Sequence, residues 1–144
     1  MIIVSPTPFS IMETRALSSY NWAGKTLLVA EDDYVGYLFL SDILSGTQAR
    51  VIRAVSVNEV LHVLHNGSKI DLLIFNVGLR DNDECQFICK IKKRHPQLPV
   101  LAITDKECTK MHKTCINAGC DTFINQHIDS FQMLTTIDEL LQKY

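Results

Sequence analysis

Three consecutive carboxylates, Glu31-Asp32-Asp33, follow directly on an apolar run, Thr26–Ala30. Two adjacent carboxylates beside another oxygen donor suit a hard divalent cation such as Mg2+, which takes oxygen ligands and keeps several waters. Three further apolar runs also end in polar side chains. Leu72–Phe75 ends in Asn76, Val100–Ile103 ends in Thr104 with Asp105 next, and Thr122–Ile124 ends in Asn125-Gln126-His127. A threonine hydroxyl can bond a phosphoryl or other anionic oxygen. Asn76, inside the stretch DLLIFNVGLRDNDE, stands where a reactive group would be expected, but it carries an amide. The acidic run has a plainer reading as a solvated loop ahead of a helix, where negative charge suits the helix dipole. Thr104 likewise reads either as a ligand for anionic oxygen or as a helix cap completed by Glu107.

Cys108, His112 and Cys115 fall at i, i+4 and i+7, on one face of a helix. Structural zinc wants a fourth ligand and a different spacing, so these residues read as a stripe of small hydrophobes with a half-buried histidine. His62 and His65 have no acidic or thiol companion and read the same way. The five cysteines, at 85, 89, 108, 115 and 120, include no CxxC pair and are expected to be reduced, mostly buried thiols. Cys85 and Cys89, one turn apart, are expected to pack as thiols.

At 144 residues, with 47% hydrophobic and 21% charged residues, the composition is that of one ordinary globular domain. A net charge of −2 and the lack of a basic run give no electrostatic case for nucleic acid. No apolar stretch approaches the ~20 residues that a membrane helix needs. The opening MIIVSPTPFS lacks a positive n-region and is interrupted by Pro6 and Pro8, so a cytoplasmic chain with no membrane partner is expected.

The elements that must position the polar residues follow in order. Residues 1–24 read as an N-terminal arm or linker, although Trp22 is expected to find some packing; the domain proper runs over 25–144. Thr26–Ala30 is a buried strand, and a helix follows over Tyr34–Ser45 with Val35, Leu38, Phe39 and Ile43 inward and Gly46 as its cap. Arg50–Val55 is a shorter strand. Ser56 and Glu59 form a capping box for a helix that Asn66-Gly67 stops. Strands are expected at Leu72–Asn76, Val100–Thr104 and Thr122–Asn125. Helices follow each of them: Glu84–Arg94, one carrying Met111, Cys115 and Ala118 before Gly119, and Ser130–Gln142 with Phe131, Leu134, Ile137 and Leu141 inward. Five strands alternating with five helices predict an α/β domain: a five-stranded parallel sheet, doubly wound, in three α/β/α layers. In such sheets chemistry sits beyond the carboxyl ends of the strands, which is where the polar residues fall.

Four ordered motifs then carry a resemblance. LLVAEDD, DLLIFNVGLRDND, PVLAIT and AGCDTFINQHID resemble successive segments of the receiver domain of two-component response regulators, a chemotaxis-regulator-like branch of the flavodoxin-like fold. The resemblance covers about Lys25–Tyr144. It implies that Glu31 and Asp32 take the acidic pair that binds Mg2+, Thr104 the switch hydroxyl and Phe123 the aromatic switch position, with a core role for Phe123 as its plainer reading. It places Asn76 at the phosphoacceptor aspartate and Gln126 at the lysine that pairs with phosphate. Those two depart from the family. An amide is not the anionic nucleophile that phosphoryl transfer requires, and Gln126 supplies no cation. His127 stands in place of the usual proline, and Arg80 and Glu84 in place of the proline and glycine of the acceptor loop.

The sequence therefore predicts a degenerate, non-enzymatic receiver in phosphorelay signalling. It would act as a phosphorylation-independent protein-interaction module, with a weak or vestigial Mg2+ site. The resemblance implies a histidine kinase or phosphotransfer protein as partner, through the face of the fourth helix, fifth strand and fifth helix, and allows a homodimer. No DNA-binding domain is expected after the fifth helix, and YNWAGK resembles the linker before receivers fused to sensor kinases. Two alternatives remain open: a working receiver using Asp33, Asp81 or Asp83 as acceptor, or a flavodoxin-like enzyme. The latter lacks a glycine-rich phosphate loop after the first strand.

Overall fold

The computed structural model describes residues 20–77, 84–104 and 109–143. Five strands form one parallel sheet: β1 (Thr26–Ala30), β2 (Arg50–Ala54), β3 (Leu72–Asn76), β4 (Val100–Thr104) and β5 (Thr122–Asn125), in the order β2-β1-β3-β4-β5. The helices among the described residues are α1 (Tyr34–Leu44), α2 (Val57–His65), α3 (Glu84–Arg94), α4 (Thr109–Ala118) and α5 (Ser130–Gln142). The expected doubly wound, flavodoxin-like α/β fold is present, with all five strands where the apolar runs put them.

β1, β3 and β4 are apolar on both faces because helices cover both faces of a parallel sheet. The registers Ala30↔Phe75, Asn76↔Ile103 and Thr104↔Asn125 bring the strand ends to one edge. On one face Leu28, Leu73, Phe75 and Ala102 join Ile88, Ile91 and Cys115 from the helices. On the other, Leu27, Val29, Leu72, Ile74 and Ile103 meet Leu40, Ile43 and Leu44 of α1 and Met133, Leu134 and Ile137 of α5.

Ser56 caps α2 as expected, its Oγ accepting the Glu59 amide at 3.2 Å. The return bond differs, since Glu59 Oε2 accepts the amide of Val55 rather than that of Ser56. Gly67 and Gly119 take positive φ just past α2 and α4, as expected of stop residues. Gly46 does not cap α1. That helix tightens into a 3-10 turn over Ser45–Thr47, and Gln48 takes the left-handed conformation.

The inward face of α1 differs from expectation except at Ile43, and that of α5 holds at Leu134, Ile137 and Leu141 but not at Phe131. Val35, Leu38 and Phe39 of α1 are exposed, and the helix instead buries Leu40, Ile43 and Leu44. Phe131 of α5 is also exposed, while Met133, Leu134, Ile137, Leu140 and Leu141 are buried. Part of the expected arm belongs to the core. Trp22 is buried, its amide donates to the Thr47 carbonyl at 2.7 Å, and its indole donates to Asp138 Oδ1 at 2.9 Å.

Asp121, ahead of β5, ties three elements together. Its carboxylate accepts the Val100 amide at 2.8 Å, Lys92 of α3 at 3.1 Å and Lys143 after α5 at 2.9 Å. Burial alone would raise its pKa, but these hydrogen bonds and the Lys92 charge outweigh it and hold the carboxyl below its ordinary value. The stabilisation is therefore present above the unfolded pKa of about 4 and is lost as pH falls through the lower folded value. Replacing Asp121 by Asn is expected to cost about 2–4 kcal/mol at pH 7, because a largely buried Lys92 loses its counter-charge and keeps only neutral acceptors such as the Leu98 carbonyl. Lys143→Ala, at the exposed end of the network, is expected to cost less than about 1 kcal/mol. Urea unfolding of both variants at pH 7 and pH 3 checks the contrast, which should shrink at the lower pH.

Candidate functional site

The site is the carboxyl edge of the sheet. Glu31 follows β1 directly, and its main chain is fixed from the neighbouring strand, its amide donating to the Ala54 carbonyl at 3.0 Å. The side chain turns inward and is only 3% exposed. Its Oε1 accepts Asn76 Nδ2 at 2.9 Å, so the amide at the end of β3 points its N–H at the acid. Glu31 Oε2 is buried with no hydrogen-bond partner among the described residues. Burial pushes the Glu31 carboxyl up, the Asn76 bond partly opposes this, and the charges of Asp32 and Asp33 raise it further. Asp33 serves the helix, its Oδ1 accepting the Val35 amide at 3.3 Å as the N-cap of α1.

Two residues that the sequence reading did not single out build this corner. Gly36 of α1 lies against Glu31, and a Cβ there would collide with Oε1 and approach the carboxyl carbon. Arg53 of β2 donates from Nε to the Glu31 carbonyl and from a terminal nitrogen to the Asp32 carbonyl, both at 3.2 Å. Its guanidinium lies 5.3 Å from the Tyr34 ring centroid and 5.1 Å from that of Tyr37. The available signal was a charged residue late in a mixed strand together with two tyrosines three apart on the next helix, a spacing that puts both rings on one side.

Asn76 is half-buried and Thr104 buried at the ends of adjacent strands β3 and β4. Gln126 enters the site's frame through its backbone, its amide donating to the Thr104 carbonyl at 2.8 Å. His127 closes the turn, its amide donating to Asn125 Oδ1 at 2.8 Å. The structure thus brings Glu31 and Asn76 into contact and sets Asp32, Thr104 and Gln126 along the same edge. Phe123 is half-buried on β5, packs against the core and stacks on His112 of α4, with centroids 4.9 Å apart and 15° between the planes. His112 itself is exposed, not half-buried as expected.

Arg80, Asp81, Asp83, Asp105, Glu107 and Cys108 lie outside the described residues, so the loop acceptors, the Thr104 cap and the Cys108 stripe fall there. Among the described residues no three His, Cys, Asp or Glu side chains are grouped to hold a metal. The donors at hand fit a hard cation poorly, because the Asn76 N–H is aimed at the Glu31 oxygen that a cation would share. Cys115 and Cys120 are buried, and burial with the nearby Cys115 and Asp121 pushes the Cys120 thiol up to about 12. Cys89 is exposed, its Sγ 3.5 Å from the Ala118 carbonyl, and the Cys85 side chain lies outside the described residues.

The protein-family description "Response regulator receiver domain" matches residues 27–138. The transcriptional regulatory protein GlrR of Escherichia coli K12 is 27% identical over 117 residues, which cover 81% of this chain and 26% of that protein. A cyclic di-GMP phosphodiesterase of Thermotoga maritima is 26% identical over 104 residues, covering 72% of this chain and 27% of that protein. The chain thus spans about a quarter of the length of these curated relatives. Among solved structures, a response regulator described as putative, from Chloroflexus aurantiacus J-10-fl, superposes with a TM-score of 0.77 at 22% identity, covering 83% of this chain and 98% of that one.

The raised Glu31 carboxyl has a sign that can be measured. A folded-state pKa above the unfolded value of about 4.3 means that the folded state holds the proton more tightly, so stability falls as pH rises through that window. Glu31→Gln removes this term and keeps an acceptor for Asn76. It is expected to raise the unfolding free energy at pH 7 and to flatten the decline in stability as pH rises above the unfolded carboxyl value, as read by urea titration.

Proposed function

The chain belongs to the response regulator receiver domain family of two-component signalling, and from that premise we propose that it works without phosphorylation at the acceptor position. The observation that carries this reading is the Asn76 amide, which occupies the acceptor position and donates to the buried Glu31 at 2.9 Å. Aspartyl phosphorylation needs a carboxylate oxygen to attack phosphorus, and an amide lacks that nucleophile. The amide also removes a negative charge from the acidic pair and supplies in its place a hydrogen-bond donor that a cation would have to displace. Mg2+ affinity at Glu31 and Asp32 is accordingly weak. With Gln126 in place of lysine, no side chain at that position can neutralise a phosphoryl group.

The proposed role is that of a non-enzymatic binding module whose partner is a histidine kinase or phosphotransfer protein, with a second copy of the chain as a further partner. The face formed by α4, β5 and α5 is the proposed surface, and the His112–Phe123 stack holds the aromatic switch position against α4. Among the described residues no helix is long and apolar enough to cross a membrane, in keeping with a cytoplasmic site of action.

Incubation with Mg2+ and acetyl phosphate, followed by intact-mass measurement, tests the central point. Wild type is expected to gain no phosphoryl group, whereas Asn76→Asp restores the nucleophile and is expected to gain one in part of the population. A base-labile phosphoryl gain in the wild type, mapped to Asp33, Asp81 or Asp83, would overturn the proposal in favour of a displaced acceptor.

A further inference from the structure

The amino edge of the sheet, opposite the acidic edge, holds a cavity of about 500 Å³. Its walls come from the entries to three strands and from the ends of two helices: Lys25 ahead of β1, Asp71 ahead of β3, Pro99 ahead of β4, Leu64 of α2 and Leu141 of α5. Hydrogen bonds fix both sides in advance. The Asp71 amide donates to the Thr26 carbonyl and the Thr26 amide to Asp71 Oδ2, each at 2.8 Å, so the starts of β1 and β3 are tied twice. Past α3 the Leu98 amide donates to the His95 carbonyl at 3.0 Å, and Lys92 Nζ donates to the Leu98 carbonyl at 2.9 Å. Preformed walls around a hollow of this size are what a small-molecule site requires.

The floor is apolar. Leu64 and Leu98 belong to the core on one face of the sheet and Leu140 and Leu141 to the core on the other, and all four line the cavity. Each keeps between 6% and 8% of its surface open. Leucine side chains give an ordered water no hydrogen-bond partner. The rim is basic. Lys25, Lys69 and His95 line it, and Asp71 is its only carboxylate among the described residues. That carboxylate is already engaged, since Oδ2 holds the Thr26 amide and Oδ1 lies 3.9 Å from a Lys69 side chain that is 84% exposed. Two lysines against one aspartate, with His95 neutral, leave a formal surplus of one positive charge in a chain whose net charge is −2. A second hollow of about 260 Å³ shares Leu64 and His95 with the first and adds His65 and Arg94 to the basic side.

We propose that this cavity binds a small amphipathic carboxylate, with its apolar body on the four leucines and its head group between Lys25 and Lys69. One negative charge matches the surplus, and hydrogen bonds from an ammonium group to a carboxylate are of the stronger, charge-assisted kind. The His95 ring can add an N–H in either tautomer. Burial of the body against the leucines supplies the remaining attraction, so neither half of the molecule suffices alone. The occupant needs nothing from Glu31 or Asn76, and the site therefore goes beyond the phosphorylation-independent binding proposed above. It gives the domain a chemical input at the end of the sheet remote from the acceptor position. Because the occupant touches the last turns of α2 and α5 together with the entries to three strands, only the folded chain can hold it, and its binding stabilises the fold by mass action.

The test uses the full chain and octanoate as the probe, with backbone amide chemical shifts as the readout at pH 7. Octanoate is expected to shift the amides of residues 68–71 and 97–98 saturably, with a dissociation constant of about 1 mM or tighter. Acetate lacks the body and octanol lacks the charge, and each is expected to shift the same amides several-fold less at equal concentration. A Lys25→Ala, Lys69→Ala double variant removes both ammonium groups and no buried side chain. It is expected to bind octanoate at least about tenfold more weakly, with unchanged thermal unfolding in the absence of the probe as the folding control. Octanoate shifts that fall on the exposed apolar residues of α1 and α5 instead would overturn the proposal. So would an absence of saturable binding, equal shifts by octanol or acetate in the wild type, or undiminished affinity in the double variant.

Discussion

One buried carboxyl constrains this end of the molecule. Glu31 turns inward at the end of β1, and everything near it is arranged around that choice. Gly36 is the α1 residue that faces it, because any Cβ there would collide with the acid. Once Gly36 faces the loop, the rotation of α1 is fixed, and residues four and seven to eight positions on, Leu40, Ile43 and Leu44, become the inward face. Val35, Leu38 and Phe39 are then turned outward. The exposed aromatic and aliphatic face of α1 thus follows from the need to house a carboxyl beside the sheet.

This also explains what could be read from the sequence and what could not. Every strand was legible, since short apolar runs bounded by turn residues leave little ambiguity once five of them alternate with helical patterns. The rotation of α1 was not legible. YVGYLFLSDIL is apolar almost all round, so periodicity admits several faces, and the deciding contact is a non-local one between Gly36 and Glu31. In α5 the Phe131 stripe is claimed lower down by Tyr20 and Trp22, from a segment where the sequence pointed to some packing of Trp22 but, lacking periodicity, not to the helix it meets. The positions of Glu31, Asn76, Thr104 and Gln126 at one edge were legible from strand ends alone. The contact between Glu31 and Asn76, and the Arg53 clamp across two backbone carbonyls, were not, because they depend on side-chain direction at a resolution that spacing does not provide.

Arg53 shows how the corner tolerates its charge. The three consecutive acids repel one another, and Gln126, which follows β5, is uncharged. Cationic charge enters from β2 instead, directed at the carbonyls of Glu31 and Asp32 and flanked by the rings of Tyr34 and Tyr37. This arrangement stabilises the loop's backbone through its carbonyls. A cation that secures the loop from behind can preserve the shape of a receiver's acidic edge without serving a phosphoryl group in front of it.

Asn76 follows the same logic from the other side. A carboxylate at the end of β3 would sit within hydrogen-bonding distance of a buried acid whose own ionisation is already disfavoured. Two such groups in a water-poor corner require either a shared proton or a metal. The amide needs neither, since it matches the carboxylate in shape and presents a donor where the second charge would have been. The amide thus satisfies one oxygen of the buried acid without adding a second charge beside it.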